Sequence, residues 1–209
     1  MNDIAHPLWI EPWPLVLASA SASRAGMLQA AGIPLEIVPA QIDERQAEDI
    51  MTAAGTTPAD VATGLAALKA QAVCADFPGR LVLGADQTLA AGNTRLHKPA
   101  GLAEARSQLL QLRDRDHVLH SGAVLAMDGA VLETFVTSAK LTMRAFSEEF
   151  LDRYLAQAGS QVTKSVGGYQ LEGAGIHLFE RVEADHFTIL GLPLFPLLES
   201  LRRRGMLIA

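Results

Sequence analysis

Acting on a phosphate compound takes hydroxyls and cations to hold the anion and a carboxylate to hold a metal or aim a water, and the chain offers each of these on short segments. Ser19, Ser21, Ser23 and Arg24 lie in a serine-rich turn that follows the apolar run LVLA (15–18) and precedes a helical stretch. A strand, turn and helix in that order direct the free N–H groups of the first helical turn, with nearby hydroxyls, at one point; this suits an anion, whereas a plain helix cap would need only one serine. Asp86 closes the apolar run RLVLGA, and the pattern predicts a strand over 80–86 with this carboxylate at its C-terminal end. Ligands of α/β sheets collect at that edge, although an aspartate can also serve merely to cap a turn. Asp43, Glu44 and Glu172 are further carboxylates on predicted loops, oxygen donors of the kind that suit Mg²⁺ bridging two phosphates. Lys69 in a predicted helix and Lys98 in an HKP turn could each reach a phosphate oxygen or simply solvate the surface.

Other chemistries are excluded or weakened. Neither a Walker GxxxxGK(S/T) nor a dinucleotide GxGxxG occurs in the sequence. His117 and His120 are three apart on a predicted strand, hence on opposite faces, and no HExxH spacing exists. The single cysteine, Cys74, gives neither a disulfide nor a thiolate cluster and reads as a small core residue. A formal net charge of −6 disfavours nucleic acid and anionic membranes as partners, and the one basic run, Arg202 to Arg204, suits the C-terminal end of a helix.

Elements that could hold these residues follow from periodicity and punctuation. Predicted helices run through RAGMLQAAG up to Gly32 and Pro34, from Pro58 to about Asp76 with Thr57 as cap, and from about Leu102 to Leu112. The second of these should bury Val61, Leu65, Leu68 and Ala72 on one face. A strand is expected over 35–39, followed by an acidic loop around Asp43 and Glu44. Two β-prone runs between His117 and Phe146 flank Asp128 and Gly129, a strong hairpin signal, and strands alternating with helices then imply a mixed α/β sheet. A helix from Ser147 to Gly159, a glycine-rich segment SVGGYQLEGAG and a last helix ended by Gly205 complete the pattern. Residues 1–14 are expected to form an N-terminal arm without the features of a signal peptide, and 15–209 a single domain. The most apolar stretch, TILGLPLFPLL, has eleven residues, against the roughly 20 that cross a bilayer. The protein is expected to be cytoplasmic.

In order, LASASASRAGML (17–28), IDE (42–44), ALKAQAV (67–73), LGADQTL (83–89), HKPAGLAEA (97–105), SVGGYQLEGAGIHLFERVE (165–183) and TILGLPL (188–194) resemble the Maf family of nucleotide pyrophosphatases over residues 15 to 204. The resemblance implies an elongated mixed β-sheet flanked by helices, two lobes with a central cleft, similar to inosine triphosphate pyrophosphatases. It also implies an enzyme that cuts a nucleoside triphosphate between its α and β phosphates, giving a nucleoside monophosphate and pyrophosphate. Asp86 aligns with the general base, Ser19, Arg24, Lys69 and Lys98 with phosphate-contacting positions, and Glu44 with an acidic residue that, with Asp86, would hold a divalent cation such as Mg²⁺ or Mn²⁺. The partners implied are the triphosphate and, where the protein pairs, a second copy as a homodimer; nucleic acid and membranes are not among them.

The chain departs from the family in two places. The usual SPRR is SASR (21–24) and the usual GKP is HKP (97–99). Base preference in the family is tied to the positions of Ser23, Gln87 and Glu172. The last two match members acting on 7-methyl-GTP, which carry tryptophan at the first; members acting on dTTP and UTP have arginine, threonine and glutamine there. The expectation is therefore a lean toward 7-methyl-GTP-like nucleotides. Alternatives are a dTTP/UTP pyrophosphatase, a phosphatase releasing orthophosphate, and a nucleotide-binding regulator of cell division with little turnover.

Overall fold

A computed structural model of the chain describes residues 7–92 and 94–209. The chain divides into two compact units. The first comprises the residues up to Asp86 with Ser121–Thr137 and His186–Ala209, and the second comprises Gln87–His120 and Ser138–Asp185.

In the first unit, β1 (Leu15–Leu17) pairs in parallel with β2 (Leu35–Ile37) and, through Val16 opposite Val82 and Leu17 opposite Leu83, with β3 (Val82–Ala91). Side chains alternate across a strand, so Leu15 and Leu17 join one apolar cluster with Leu28, Leu83 and Leu197, while Val16 and Ala18 join another with Ala66, Ala70 and Val82. Each fully buried leucine contributes roughly 1.5 to 3 kcal/mol. The serine turn feeds α1 (Ala22–Ala30) as expected, with Ser21 accepting from Arg24 N at 3.4 Å as its N-cap.

Two expectations are corrected here. The segment read as an acidic loop contains α2 (Glu44–Ala53), capped by Asp43, whose carboxylate accepts from Gln46 N at 2.9 Å. None of its residues is buried, so no apolar stripe announced it in the sequence. The predicted strand over 80–86 is the longer β3, and Asp86 sits midway along it rather than at its end. Parallel pairing with β1 nevertheless stops at Leu83, so Asp86 lies just past the portion that β1 covers.

Helix α3 (Pro58–Cys74) starts at the predicted cap, Thr57, but turns a different face inward. Val61 and Leu65 are buried, whereas Leu68 and Ala72 are exposed; the buried stripe is completed by Ala62, Ala66, Lys69, Ala70, Val73 and Cys74. The cause lies in two glycines. A Cβ on Gly84 of β3 would stand 1.9 Å from the carbonyl oxygen of Ala66, and one on Gly122 would stand 2.6 Å from the carbonyl carbon of Ala62. Only glycine lets the helix backbone approach these strands so closely, and that approach selects the alanine seam over the leucine at 68. Near the chain ends, Ile10 N donates to Met206 O at 3.1 Å and Ile208 N to Leu8 O at 3.0 Å. The short helix α6 (His186–Ile189) precedes α7 (Leu194–Arg203), which ends at Gly205, with φ +71°.

The second unit contains β4 (Thr94–Leu96), antiparallel to the end of β3, and α4 (Leu102–Leu112). It also contains α5 (Glu148–Ala158), capped by Ser147 and ended at Gly159, and β7 (Phe179–Glu183). The long strands β5 (Asp116–Met127) and β6 (Ala130–Met143) are joined by Asp128 and Gly129, both at positive φ, and so form the predicted hairpin. β7 is antiparallel to β6. The glycine-rich segment forms short 3₁₀ turns at Val166–Gly168 and Ala174–Leu178. The sheet is mixed and seven-stranded, in the order β2-β1-β3-β5-β6-β7 with β4 on β3, and helices flank it. Among the described residues no helix is long and apolar enough to cross a membrane.

Candidate active site

Because Gly84 seats α3 on β3, Lys69 of the helix reaches Asp86 two residues further along the strand. Lys69 Nζ lies 2.6 Å from Asp86 Oδ1 and 2.8 Å from Glu44 Oε2 at the start of α2. The lysine side chain is 7% exposed and that of Asp86 13%, so this is a nearly dry ion pair, whereas Glu44 closes it from the solvent side at 52%. Removing one partner of a buried pair strands the other in low dielectric, a loss of about 3 to 5 kcal/mol. An ammonium has three hydrogens; two are directed at carboxylates, and the third remains to meet an anionic ligand.

Beside this corner stands Arg24. Its Nε donates to Gly191 O at 2.8 Å, and Nη1 donates to Ser19 Oγ and Ala85 O, both at 3.0 Å. Burial pushes the guanidinium below its ordinary value, and the charges of Asp86 and Glu44 oppose that shift. Ser19 is itself buried, and its oxygen also accepts from Ser21 N at 3.3 Å.

Among the predicted site residues, Ser19, Ser23, Arg24, Glu44, Lys69 and Asp86 all belong to the first unit, where a hydrogen bond ties Ser19 to Arg24 and ion pairs tie Lys69 to both carboxylates. Ser23 is half-buried in the first turn of α1. The remaining three belong to the second unit. There Gln87 is half-buried on β3, Lys98 is exposed after β4, and Glu172 is exposed in the turn that Gln170 and Gly173 close with a 3.2 Å hydrogen bond. Gly84 and Gly191 also shape this corner, and the sequence does not mark them as site residues. Their role lies in what their missing Cβ leaves room for, and no local pattern signals that.

Oxygen donors are present for a cation. Among the described residues no group of three or more His, Cys, Asp or Glu side chains is arranged to hold a metal, so the protein's own share would be the two carboxylates that now flank the Lys69 ammonium. Two carboxylates completed by water and phosphate oxygens are the usual protein contribution to a Mg²⁺ site.

The chain that builds this corner is similar to known sequences over nearly its whole length. Residues 14–204 fit the family model described as Maf-like protein. A "Nucleoside triphosphate pyrophosphatase" of Rhodopseudomonas palustris (strain BisB18) is 50% identical over 201 residues, 96% of this chain and 98% of that protein. A "7-methyl-GTP pyrophosphatase" of Mesorhizobium japonicum is 50% identical over 191 residues, 91% of this chain and 96% of that one. The chain belongs to the Maf family. Among solved structures, a HAM1 protein from Coxiella burnetii shares 18% identity over 62% of this chain and 72% of its own, with a TM-score of 0.43, too distant a likeness to carry an argument.

Proposed function

We propose that the chain hydrolyses a nucleoside triphosphate to the monophosphate and pyrophosphate, with Asp86 aiming and deprotonating the attacking water, and that it prefers 7-methyl-GTP-like nucleotides. The class rests on relatives: a chain half identical over nearly its whole length to nucleoside triphosphate pyrophosphatases is a hydrolase of acid anhydrides. The observation that carries the mechanism is the buried Lys69 held between Asp86 and Glu44. It places a cation beside the carboxylate proposed as the base, so that the anionic triphosphate and the attacking water would meet at one corner. Lys69 and the Ser19 hydroxyl would take up phosphate oxygens. A carboxylate is a weak base, so charge neutralisation and alignment must supply most of the rate. When bound at Glu44 and Asp86, a divalent cation would supply further neutralisation and acidify the water.

For the base, support comes from Gln87 and Glu172. A carboxylate at 172 can accept from the N1 and N2 donors of guanine, and its charge favours the cationic ring of 7-methylguanine over neutral uracil or thymine. Ser23 offers no ring to stack on that cation, which forgoes about 0.5 to 2 kcal/mol. A nucleotide panel at fixed Mg²⁺ tests this through kcat/KM. The 7-methyl-GTP arm is expected to lead, and the Glu172→Gln variant should narrow its lead over UTP by removing the charge that separates the two ring types. A preference of about tenfold or more for UTP or dTTP, some 1.4 kcal/mol, would move the chain to the alternative substrate class.

A further inference from the structure

Arg24 joins three stretches of chain. Its guanidinium donates to Gly191 O, 167 residues away in sequence, to Ala85 O, 61 residues away, and to Ser19 Oγ in its own turn. The residue is 8% exposed. Gly191 has φ +96°, a conformation suited to glycine, and a Cβ there would lie 3.3 Å from Nη2 and 3.4 Å from Nε of Arg24. The turn before α7 is therefore built to lay a bare carbonyl against the guanidinium. Ala85 immediately precedes Asp86, so the bond to its carbonyl holds the backbone from which the carboxylate projects. At Ser19 both hydrogen bonds at the oxygen are accepted, from Arg24 and from Ser21 N, which uses the two lone pairs and leaves the hydroxyl proton as the group that can face an anion.

We propose that Arg24 is a positioning residue: with its Nε and Nη1 hydrogens it fixes, through Ala85 and Gly191, the strand that carries Asp86, and it sets Ser19 as a donor. This rests on the reading of Asp86 as the base. The family resemblance places Arg24 among phosphate contacts. For Nε and Nη1 to turn to a phosphate, however, the Gly191 and Ala85 carbonyls would lose their charged donor inside the protein, and orphaned buried acceptors are strongly disfavoured, so only Nη2 is left to meet an anion. An arginine suits such a lock because its planar fork serves several acceptors at once, which a lysine cannot copy.

Arg24→Lys and Gly191→Ala test the lock from its two ends, with steady-state kinetics, product inhibition by pyrophosphate and thermal unfolding measured on each. A base displaced by an ångström loses on the order of 10²-fold in kcat, and both variants are expected to show a loss of that kind. In Gly191→Ala, KM and the inhibition constant for pyrophosphate should stay within about threefold, because that variant keeps the guanidinium. Combining the two changes should cost little more than the worse single change, since both open the same contact. A tenfold or larger rise in KM or in the pyrophosphate constant with kcat preserved would overturn the proposal in favour of direct phosphate binding, by about the size of a lost charged contact. Unchanged kinetics in both variants would overturn it as well. If Arg24→Lys does not fold, Gly191→Ala decides alone, because it keeps the guanidinium and disturbs only its seat. Asp86→Asn run alongside separates the two failures: full turnover in that variant sinks the reading of Asp86, whereas normal Arg24 and Gly191 variants beside an inactive Asp86→Asn sink the lock.

Discussion

Two buried polar clusters, one in each unit, show opposite ways of keeping an ionisable group inside a protein. In the first unit the buried charges are met by partners: Asp86 and Glu44 face the Lys69 ammonium, and two carbonyls with a hydroxyl face the Arg24 guanidinium. In the second unit His117 is buried against the rings of Tyr169 and Phe179, with Nε2 2.7 Å from the Tyr169 hydroxyl and Nδ1 without a partner. Burial, only partly offset by the charge of Asp116, pushes His117 down to about 4, and burial likewise raises Tyr169 and pushes Tyr154 up to about 12. This cluster is neutral by desolvation. The difference teaches where chemistry can sit: a ligand bearing several negative charges can be met by the charged corner, whereas the aromatic corner would reject it and instead stiffens the unit that carries it.

The contrast is broken most severely by Lys69→Met, which keeps the volume of the side chain and removes the cation. Asp86 would then be buried without its partner, so chemical denaturation should report a loss of about 3 to 5 kcal/mol, and hydrolysis should fall with it. A stable, active Lys69→Met variant would mean that the pair holds neither the fold nor the substrate.

A somewhat smaller effect is expected from acid at His117. The histidine is neutral in the folded chain and takes a proton when unfolded, so the unfolded state binds more protons between the two pKa values. Its stabilising contribution is therefore full above the unfolded value of 6.5 and is lost as the pH falls toward the folded value of about 4. The span corresponds to roughly 3 kcal/mol. Unfolding free energies at pH 7 and pH 4.5 should differ less in His117→Phe than in the natural chain, and an equal difference in the two would show that other groups carry the acid sensitivity.

Much of this was legible in residue order. Thr57 with Pro58, Ser147 with Gly159, and Asp128 with Gly129 each specify a backbone conformation locally, and each stands where the sequence places it. The serine turn and Asp86 were legible for the same reason, as short motifs of suitable chemistry next to an apolar run. Helix α2 was not, because a helix that buries none of its residues leaves no periodic stripe. The continuation of β3 past Asp86 was hidden by the polar triplet Asp86, Gln87 and Thr88, which reads as a strand end until antiparallel pairing with β4 carries it on. The seating of α3 on Gly84 and the bonds of Arg24 to Ala85 and Gly191 join residues distant in sequence, and only the fold brings them into contact.

The most direct measurement follows the products of 7-methyl-GTP hydrolysis by the natural chain and by Asp86→Asn under identical Mg²⁺, assaying monophosphate, pyrophosphate and orthophosphate separately, with circular dichroism to confirm that both are folded. The natural chain should release monophosphate and pyrophosphate in equal amounts, and the variant should lose at least about 100-fold in kcat, the lower end for removal of a general base. Orthophosphate as the first product, or turnover by Asp86→Asn close to that of the natural chain, would contradict the assignment of this corner as the catalytic centre of a pyrophosphatase.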